Sequence, residues 1–463
     1  MGEGKAVRSS RRARMATLVV VVLAAVLTLG WASPATAATR NAKAPSCGKY
    51  TGASLTGFIS AAESAFPVEE CLYPLRQRIT VAAGLTVSSP AILDFDGAKL
   101  SGGPGLTTSM IVVEPSAADS AVTDVTLSKG PKNGLQCSGT CSVTQTTIEG
   151  FEDDGLYVSG NDESVIGGKT ANSQVSTIGD GIGLLVNEAI GVTIGYFSSS
   201  YDNHYGALLQ SVTGTTATAC TATSIKTEDT GKATATWSWG VNDAGSGLQL
   251  KGTSGCRFAS VKASSQGGYG IALGNSSDNV FGTVAITGES HGQLNPGINL
   301  SHSAAGNVFK TVNVVHKSVA VDVGNDGVAG GGGTSGNDDN VFENLSAKDD
   351  TYGVIDFHGG TGNRFGSVTS TDDGSPNGFY IALVLFKQST SPVTGNVVTS
   401  ATFTGSPAAP HDTPDYLVYA DSGSSGNSVT IAKDASTTYK LAPCEDLNGG
   451  NSFSGCDPGA ATG

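Results

Sequence analysis

Charge is scarce in this chain. Charged residues fill 14% of its 463 positions, against a usual ~25% in globular domains, which excludes the polar, highly charged composition of a disordered chain. Methionine and tryptophan number three each, and aromatics amount to 6%. Basic residues are the scarcer sign, 26 against 40 acids. Five of those bases (Lys5, Arg8, Arg11, Arg12, Arg14) and one acid, Glu3, fall within residues 1–37, so the remainder carries −18 against −14 for the whole chain. So acidic a remainder releases no counterions from a phosphate backbone, which argues against a nucleic-acid partner. Beyond Leu29 no apolar run is long enough to cross a ~30 Å hydrocarbon core. Collagen periodicity, coiled-coil heptads and a P-loop are all absent from the sequence. What is abundant is glycine, with 64 residues, accompanied by Ser, Thr and Asn. This composition points to an extracellular, mostly β protein.

Arg8, Arg11, Arg12 and Arg14 precede an apolar run from Ala16 to Leu29 and then Ala35-Thr36-Ala37. A basic n-region, a short apolar h-region and an A-x-A site make residues 1–37 a secretory signal peptide. Ser10-Arg11-Arg12 hints at twin-arginine export, with an ordinary Arg-rich signal as the alternative. The mature chain is expected outside the cell, with no membrane partner, as a monomer. Its eight cysteines are an even count, which in a secreted chain implies disulfides without fixing their pairing. Sequential pairing is expected, because each bond then closes a local loop: Cys47–Cys71, Cys137–Cys141, Cys220–Cys256 and Cys444–Cys456. A zinc site is the rival, and no CxxC pair supports it.

An internal repeat carries the most information. NVFGTVAIT begins at Asn279, NVFKTVNVV at Asn307, NVFENLSAK at Asn340, NRFGSVTST at Asn363, NVVTSATFT at Asn396 and NSVTIAKDA at Asn427, at intervals of 28, 33, 23, 33 and 31 residues. Between these copies lies a second strand-like motif: GLYV at 155–158, GLLV at 183–186, GLQL at 247–250, GIAL at 270–273 and GINL at 297–300, then VDV at 321–323, IDF at 355–357 and IAL at 381–383. Fixed strand motifs with variable spacing suit stacked coils whose turns absorb insertions, and no single coil buries its apolar face alone. A propeller would show a steadier period of ~40–45 residues. Inward Asn amides at one corner are expected to form a ladder satisfying polar groups in a dry interior. Phe258, Phe281, Phe309, Phe342 and Phe365 should stack beside it, with Arg257 and Arg364 outward. Leu55, Phe58, Ile59, Ala62 and Phe66 recur at helical spacing, so Ser54–Phe66 reads as an amphipathic helix capping the first coil, whose edge would otherwise be open.

Over residues 50–435 these motifs resemble the right-handed parallel β-helix, or pectin-lyase-like, superfamily. The resemblance implies an all-β chain: one right-handed parallel β-helix solenoid over 79–435, an N-terminal cap segment over 38–78, and a disulfide-stapled tail over 436–463. It also implies polysaccharide or cell-envelope glycan as partner.

Two clusters are candidate sites. Asp153, Asp154, Asp180, Asp202, His204 and Asp243 each precede a GLxV-type strand, so consecutive coils would stack them along one edge. Stacked carboxylates repel, which raises one pKa and gives an acid and a base for glycoside hydrolysis. Asp153-Asp154 resembles the D-D element of polygalacturonase-like glycosidases, and Gly179-Asp180-Gly181 stands where that group has G-H-G. The bland reading is turn chemistry, which Asp-Gly and Asp-Asn pairs favour. The second cluster comprises Asn299, Asp322 and Asp356, at the outward middle positions of GINL, VDV and IDF, with His302 and His358 beside them. Its bland reading is a solvated polar face. Tyr157, Tyr205, Trp237, Trp239, Gln249 and Lys251 are candidate substrate-binding residues. No cofactor or metal is required, although Asn325, Asp326, Asp338 and Asp339 frame a Gly-rich loop that offers oxygen ligands to calcium. A glycoside hydrolase is the leading reading. The alternatives are a calcium-assisted polysaccharide lyase or epimerase, and a non-catalytic glycan-binding solenoid.

Overall fold

Short strands of alternating burial cannot stand alone, and here they stack. Asp154–Ser159 pairs in parallel with Ile182–Asn187, which pairs with Tyr205–Gln210. Among the described residues this first face continues through 14 strands, from Leu85–Val87 to Cys444–Asp446. The computed structural model describes residues 46–50, 54–67, 70–73, 78–160, 164–215, 219–230, 245–288, 295–324, 336–350, 353–371, 373, 382–387, 391–404, 416–432 and 442–456. The signal segment, Trp237, Trp239, Asp243, Asn325 and Asp326 lie outside the described residues.

The Asn-Val-Phe motifs supply two further faces from one strand. Val192–Ser200 shows how: Val192–Ile194 pairs with Ser164–Ile166, and Phe197–Ser200 pairs with Val175–Ile178, a separate strand of the same preceding coil. In the first coils the bend between these faces uses left-handed residues, Asp96 (φ 45°), Asp124 (φ 54°) and Gln145 (φ 49°). Asp tolerates that region better than most side chains. The molecule is therefore an all-β parallel β-helix with three-sided coils. At ~4.8 Å per coil its axis is about 60 Å long. The glycine opening each GLxV strand is forced by crowding at the corner: a Cβ on Gly155 would lie 2.9 Å from Thr177 Cγ2, and one on Gly270 would lie 2.6 Å from Ile286 Cγ2.

One continuous apolar core runs from Phe58 to Ile431. Phe258, Phe281, Phe309, Phe342 and Phe365 stack with ring centroids 4.8, 4.5, 4.5 and 4.6 Å apart. Beside them runs the Asn ladder. Asn340 Oδ1 accepts from both the backbone N–H and the Nδ2 of Asn307, each at 3.0 Å, while Asn340 Nδ2 donates to Ala304 O (2.8 Å) and Asn363 Oδ1 (2.9 Å). Asn279, Asn307, Asn363, Asn396 and Asn427 repeat this pattern. The ladder has a direction, since every Asn donates to the next coil. Its last member, Asn451, finds no further Asn and donates instead to both carboxylate oxygens of Asp446, at 2.9 Å each. At its start Cys256 N–H donates to Asn279 Oδ1, and the Cys220–Cys256 disulfide holds the same corner one coil earlier.

The helix spans Leu55–Ala65, with Ser54 accepting from Gly57 N–H as its N-cap and Phe58, Ile59 and Ala62 buried. Phe58 packs edge-to-face on Tyr73 (5.1 Å) and Phe95 (5.3 Å), closing the first coil as expected. Cys137–Cys141 and Cys444–Cys456 are bonded. Cys71 is also disulfide-bonded, and the side chain of Cys47 lies outside the described residues. Stacking continues past residue 435: Cys444–Asp446 joins the first face and Ser452–Ser454 pairs with Ser428–Ala432, so the stapled tail forms the last coil.

Candidate active site

The structure splits the first acidic cluster between surface and interior. Asp153 is exposed and pairs with Lys132 at 2.8 Å, and His204 is exposed in the turn that follows Asp202. Asp180 and Asp202 are buried at the inner side of the corner, where their carboxylates cap turns. Asp180 Oδ1 accepts from Phe151 N–H at 2.7 Å, Asp202 Oδ1 accepts from Asp180 N–H at 2.9 Å, and Ser199 Oγ donates to Asp202 Oδ2. Burial, reinforced by neighbouring carboxylates, raises Asp180 to about 8. Burial likewise raises Asp154 to about 7, with Asp153 adding and Lys132 opposing. Asp202 is raised to about 7 by burial, against the hydrogen bonds from Ser199 and the turn backbone.

The same corner continues along the solenoid. Strand register places Asp180, Asp202, Thr230 and Gln266 at one position of successive coils, and Lys317, Asp350 and Asp373 at that position further on. Thr230 Oγ1 donates to Gln266 Oε1. Lys317 N–H donates to Asp350 Oδ1 and Asp350 N–H to Asp373 Oδ1, both at 2.7 Å, with Ser370 bonded to Asp373 as Ser199 is to Asp202. These acids therefore belong to a second interior ladder, built from turn-capping side chains of mixed type.

The second cluster lies on the outer side of the first face. Register aligns Tyr157, Leu185, Leu208, Gln249, Ala272, Asn299, Asp322, Asp356, Leu385, Tyr419 and Glu445 in one outward column. The flanking Leu248, Leu250, Leu300, Val321, Val323 and Phe357 point inward and are fully buried. Outward residues should be wet, yet Asn299, Asp322 and Asp356 are only 2%, 3% and 2% exposed. Asp322 and Asp356 sit on adjacent coils, and Asp356 Oδ2 lies 3.0 Å from His358 Nε2. Burial alone would lower the imidazole, but Asp356 and then Asp322 outweigh it and raise His358 to about 9. His358 is thus an imidazolium at neutral pH, flanked by both acids. Burying polar side chains and an imidazolium on the outer face of a sheet is costly unless they serve a purpose.

The remaining candidates fall around these two places. Tyr157 is half-buried five coils from Asn299 in the outward column, and Tyr205 shares the register of Asp154. Gln249 belongs to the column and Lys251 is exposed two residues on. His302 is exposed in a left-handed turn (φ 49°), and its carbonyl accepts from Asn275 N–H at 2.7 Å. Asp338 Oδ1 accepts from Thr361 N–H at 2.7 Å. Among the described residues no group of three or more His, Cys, Asp and Glu side chains is arranged to hold a metal ion. Sequence reasoning overlooked Tyr416 and Tyr419. The signal was present in DYLVYA at 415–420, a first-face strand without the opening glycine of the GLxV motifs.

No protein-family model matches the chain, and no curated protein matches it in sequence. Among solved structures it is similar to the enzymatically active domain of tailspike protein 2 from bacteriophage CBA120, at 10% identity over 90% of this chain and 52% of that one (TM-score 0.36). It is also similar to alginate lyase from Paenibacillus sp. FPU-7, at 12% identity over 86% and 96% (TM-score 0.27). A third likeness is to the catalytic domain of a GH87 α-1,3-glucanase in complex with tetrasaccharides, at 12% identity over 89% and 69% (TM-score 0.32). The chain spans about half the length of the tailspike domain.

Proposed function

We propose that the protein is a secreted polysaccharide-active enzyme, a glycoside hydrolase whose reacting carboxylates are Asp322 and Asp356. The observation that carries this reading is the buried acid pair on adjacent coils, turned outward, with Asp356 hydrogen-bonded to His358. Two carboxyl groups are what glycoside hydrolysis needs: one protonates the leaving oxygen, the other attacks the anomeric carbon or activates water. His358 holds Asp356 in place and balances its charge. Asp180 and Asp202 are assigned to the interior, where their oxygens serve the backbone. The mature chain's negative charge favours a neutral glycan over a polyanion.

A polysaccharide lyase is the second reading, and one observation favours it. His358 and Lys387 occupy the same register position of neighbouring coils, so two cations are available to a uronate carboxylate. Incubating the protein with soluble glycans while following reducing ends and unsaturated-product absorbance separates the two. Reducing ends without absorbance, lost in Asp356→Asn, support hydrolysis; absorbance supports the lyase.

A further inference from the structure

The outward column is buried throughout from Leu208 (7% exposed) to Leu385 (6%), and it opens again at Tyr419 and Glu445, both half-exposed. Tyr419 lies two coils beyond Asp356, about 10 Å along the axis at ~4.8 Å per coil. Counted the other way, the nearest half-exposed member is Leu185, six coils from Asp356. The acids are therefore reached over the shortest covered stretch from the Tyr419 side.

What stands at that opening is an aromatic pair. The rings of Tyr416 and Tyr419 lie 5.4 Å apart, inclined by 40°. Asp421 and Glu445 are close enough to act electrostatically on the Tyr419 hydroxyl, and Lys387 is the exposed residue one coil earlier in the register position of Asp421. Half-exposed aromatic rings with hydrogen-bonding groups at their edge suit a ligand with apolar faces and a polar rim. A pyranose ring has that form.

Resting on the hydrolase reading, we infer that Tyr416 and Tyr419 form a stacking platform for one sugar ring of the glycan whose scissile bond lies at Asp322 and Asp356. Asp421, Glu445 and Lys387 then meet the ring hydroxyls. The glycan runs along the solenoid axis, and chains too short to reach from the acids to Tyr419 lose the contact.

The test reads binding apart from cleavage. Mature protein carrying Asp356→Asn is run by native affinity electrophoresis through gels containing starch, xylan, laminarin or galactomannan, with Tyr419→Ala, Tyr419→Phe and Tyr416→Ala added to it in turn. Thermal midpoints check that each variant is folded. The platform predicts that Tyr419→Ala weakens retention on the recognised glycan roughly tenfold, a loss of the size aromatic contacts supply, and that Tyr419→Phe keeps it. In the active protein, Tyr419→Ala should raise KM for long oligosaccharides at unchanged kcat and leave short ones unaffected. Undiminished retention in folded Tyr419→Ala and Tyr416→Ala would overturn the platform and leave the hydrolase reading standing. A wild-type protein that neither retains nor cleaves any glycan would overturn both.

Discussion

Asn340 shows how much one side chain contributes in a structure made of repeats. It takes part in four buried hydrogen bonds spanning three coils. Asn340→Ala leaves the Asn307 backbone N–H and the Ala304 carbonyl buried without these partners and takes from Asn307 Nδ2 one of its two bonds, at ~1–3 kcal/mol for each orphaned group, so urea unfolding should show a loss of about 3–5 kcal/mol. Asn344, only four residues away, is exposed and makes one bond, to Lys310 O at 3.1 Å; Asn344→Ala should stay within ~0.5 kcal/mol. Equal losses would contradict the ladder. The interior acids make a second prediction at this scale. Asp180, Asp154 and Asp202 are raised to about 8, 7 and 7, whereas an unfolded Asp titrates near ~3.9. Between those values the native state holds protons that the unfolded state has released, so stability falls as pH rises. His358, raised to about 9, acts in the same direction: its contribution is complete below the unfolded value of ~6.5 and is lost as pH climbs through 9. The thermal midpoint should therefore decline from pH 5 to pH 9. Asp180→Asn, which keeps the oxygen that accepts from Phe151, should flatten that decline. A midpoint that rises over this range would contradict the buried, neutral state of these acids.

At the scale of elements, the cap helix and the two corner ladders do the organising. Phe58 is fully buried between Tyr73 and Phe95, so Phe58→Ala should cost about 3–5 kcal/mol and promote self-association through the uncovered first coil; size-exclusion chromatography reads the second effect. This helix, the strands and the Asn corner were legible in the sequence, because each depends on residue identity at a fixed place: Leu55, Phe58, Ile59 and Ala62 at helical spacing, or Asn before Val-Phe. The second ladder was not. Its positions hold Asp180, Asp202, Thr230, Gln266, Lys317, Asp350 and Asp373, which share a register but not one residue type, and insertions shift their spacing from coil to coil. Asp180 consequently read as one of a row of edge acids before a strand, or as turn chemistry, and its carboxylate turns inward to a backbone N–H. Asp322 and Asp356 were legible as outward residues from the alternation in VDV and IDF. Their burial was not, since nothing local in either triplet signals that an outward face is covered.

The described residues from Ser46 onward form a single stack, with a helix over the first coil and a disulfide-stapled coil carrying Asp446 as the last described one. Its two rows of acids have opposite fates. The inner row is held near neutrality by burial and serves the backbone, while the outer pair is buried beside a cation, where an ordinary solenoid surface would be wet. One experiment separates these two fates. Wild-type, Asp356→Asn and Asp180→Asn proteins, each confirmed folded by circular dichroism, are incubated with a panel of soluble neutral and uronate glycans while reducing ends and unsaturated-product absorbance are recorded together. The wild type should release reducing ends without absorbance, Asp356→Asn should fall at least a hundredfold, as expected for loss of an acid–base group (~10²–10⁴), and Asp180→Asn should keep near wild-type rates. Activity abolished in Asp180→Asn but retained in Asp356→Asn would contradict this assignment and return the chemistry to the inner corner.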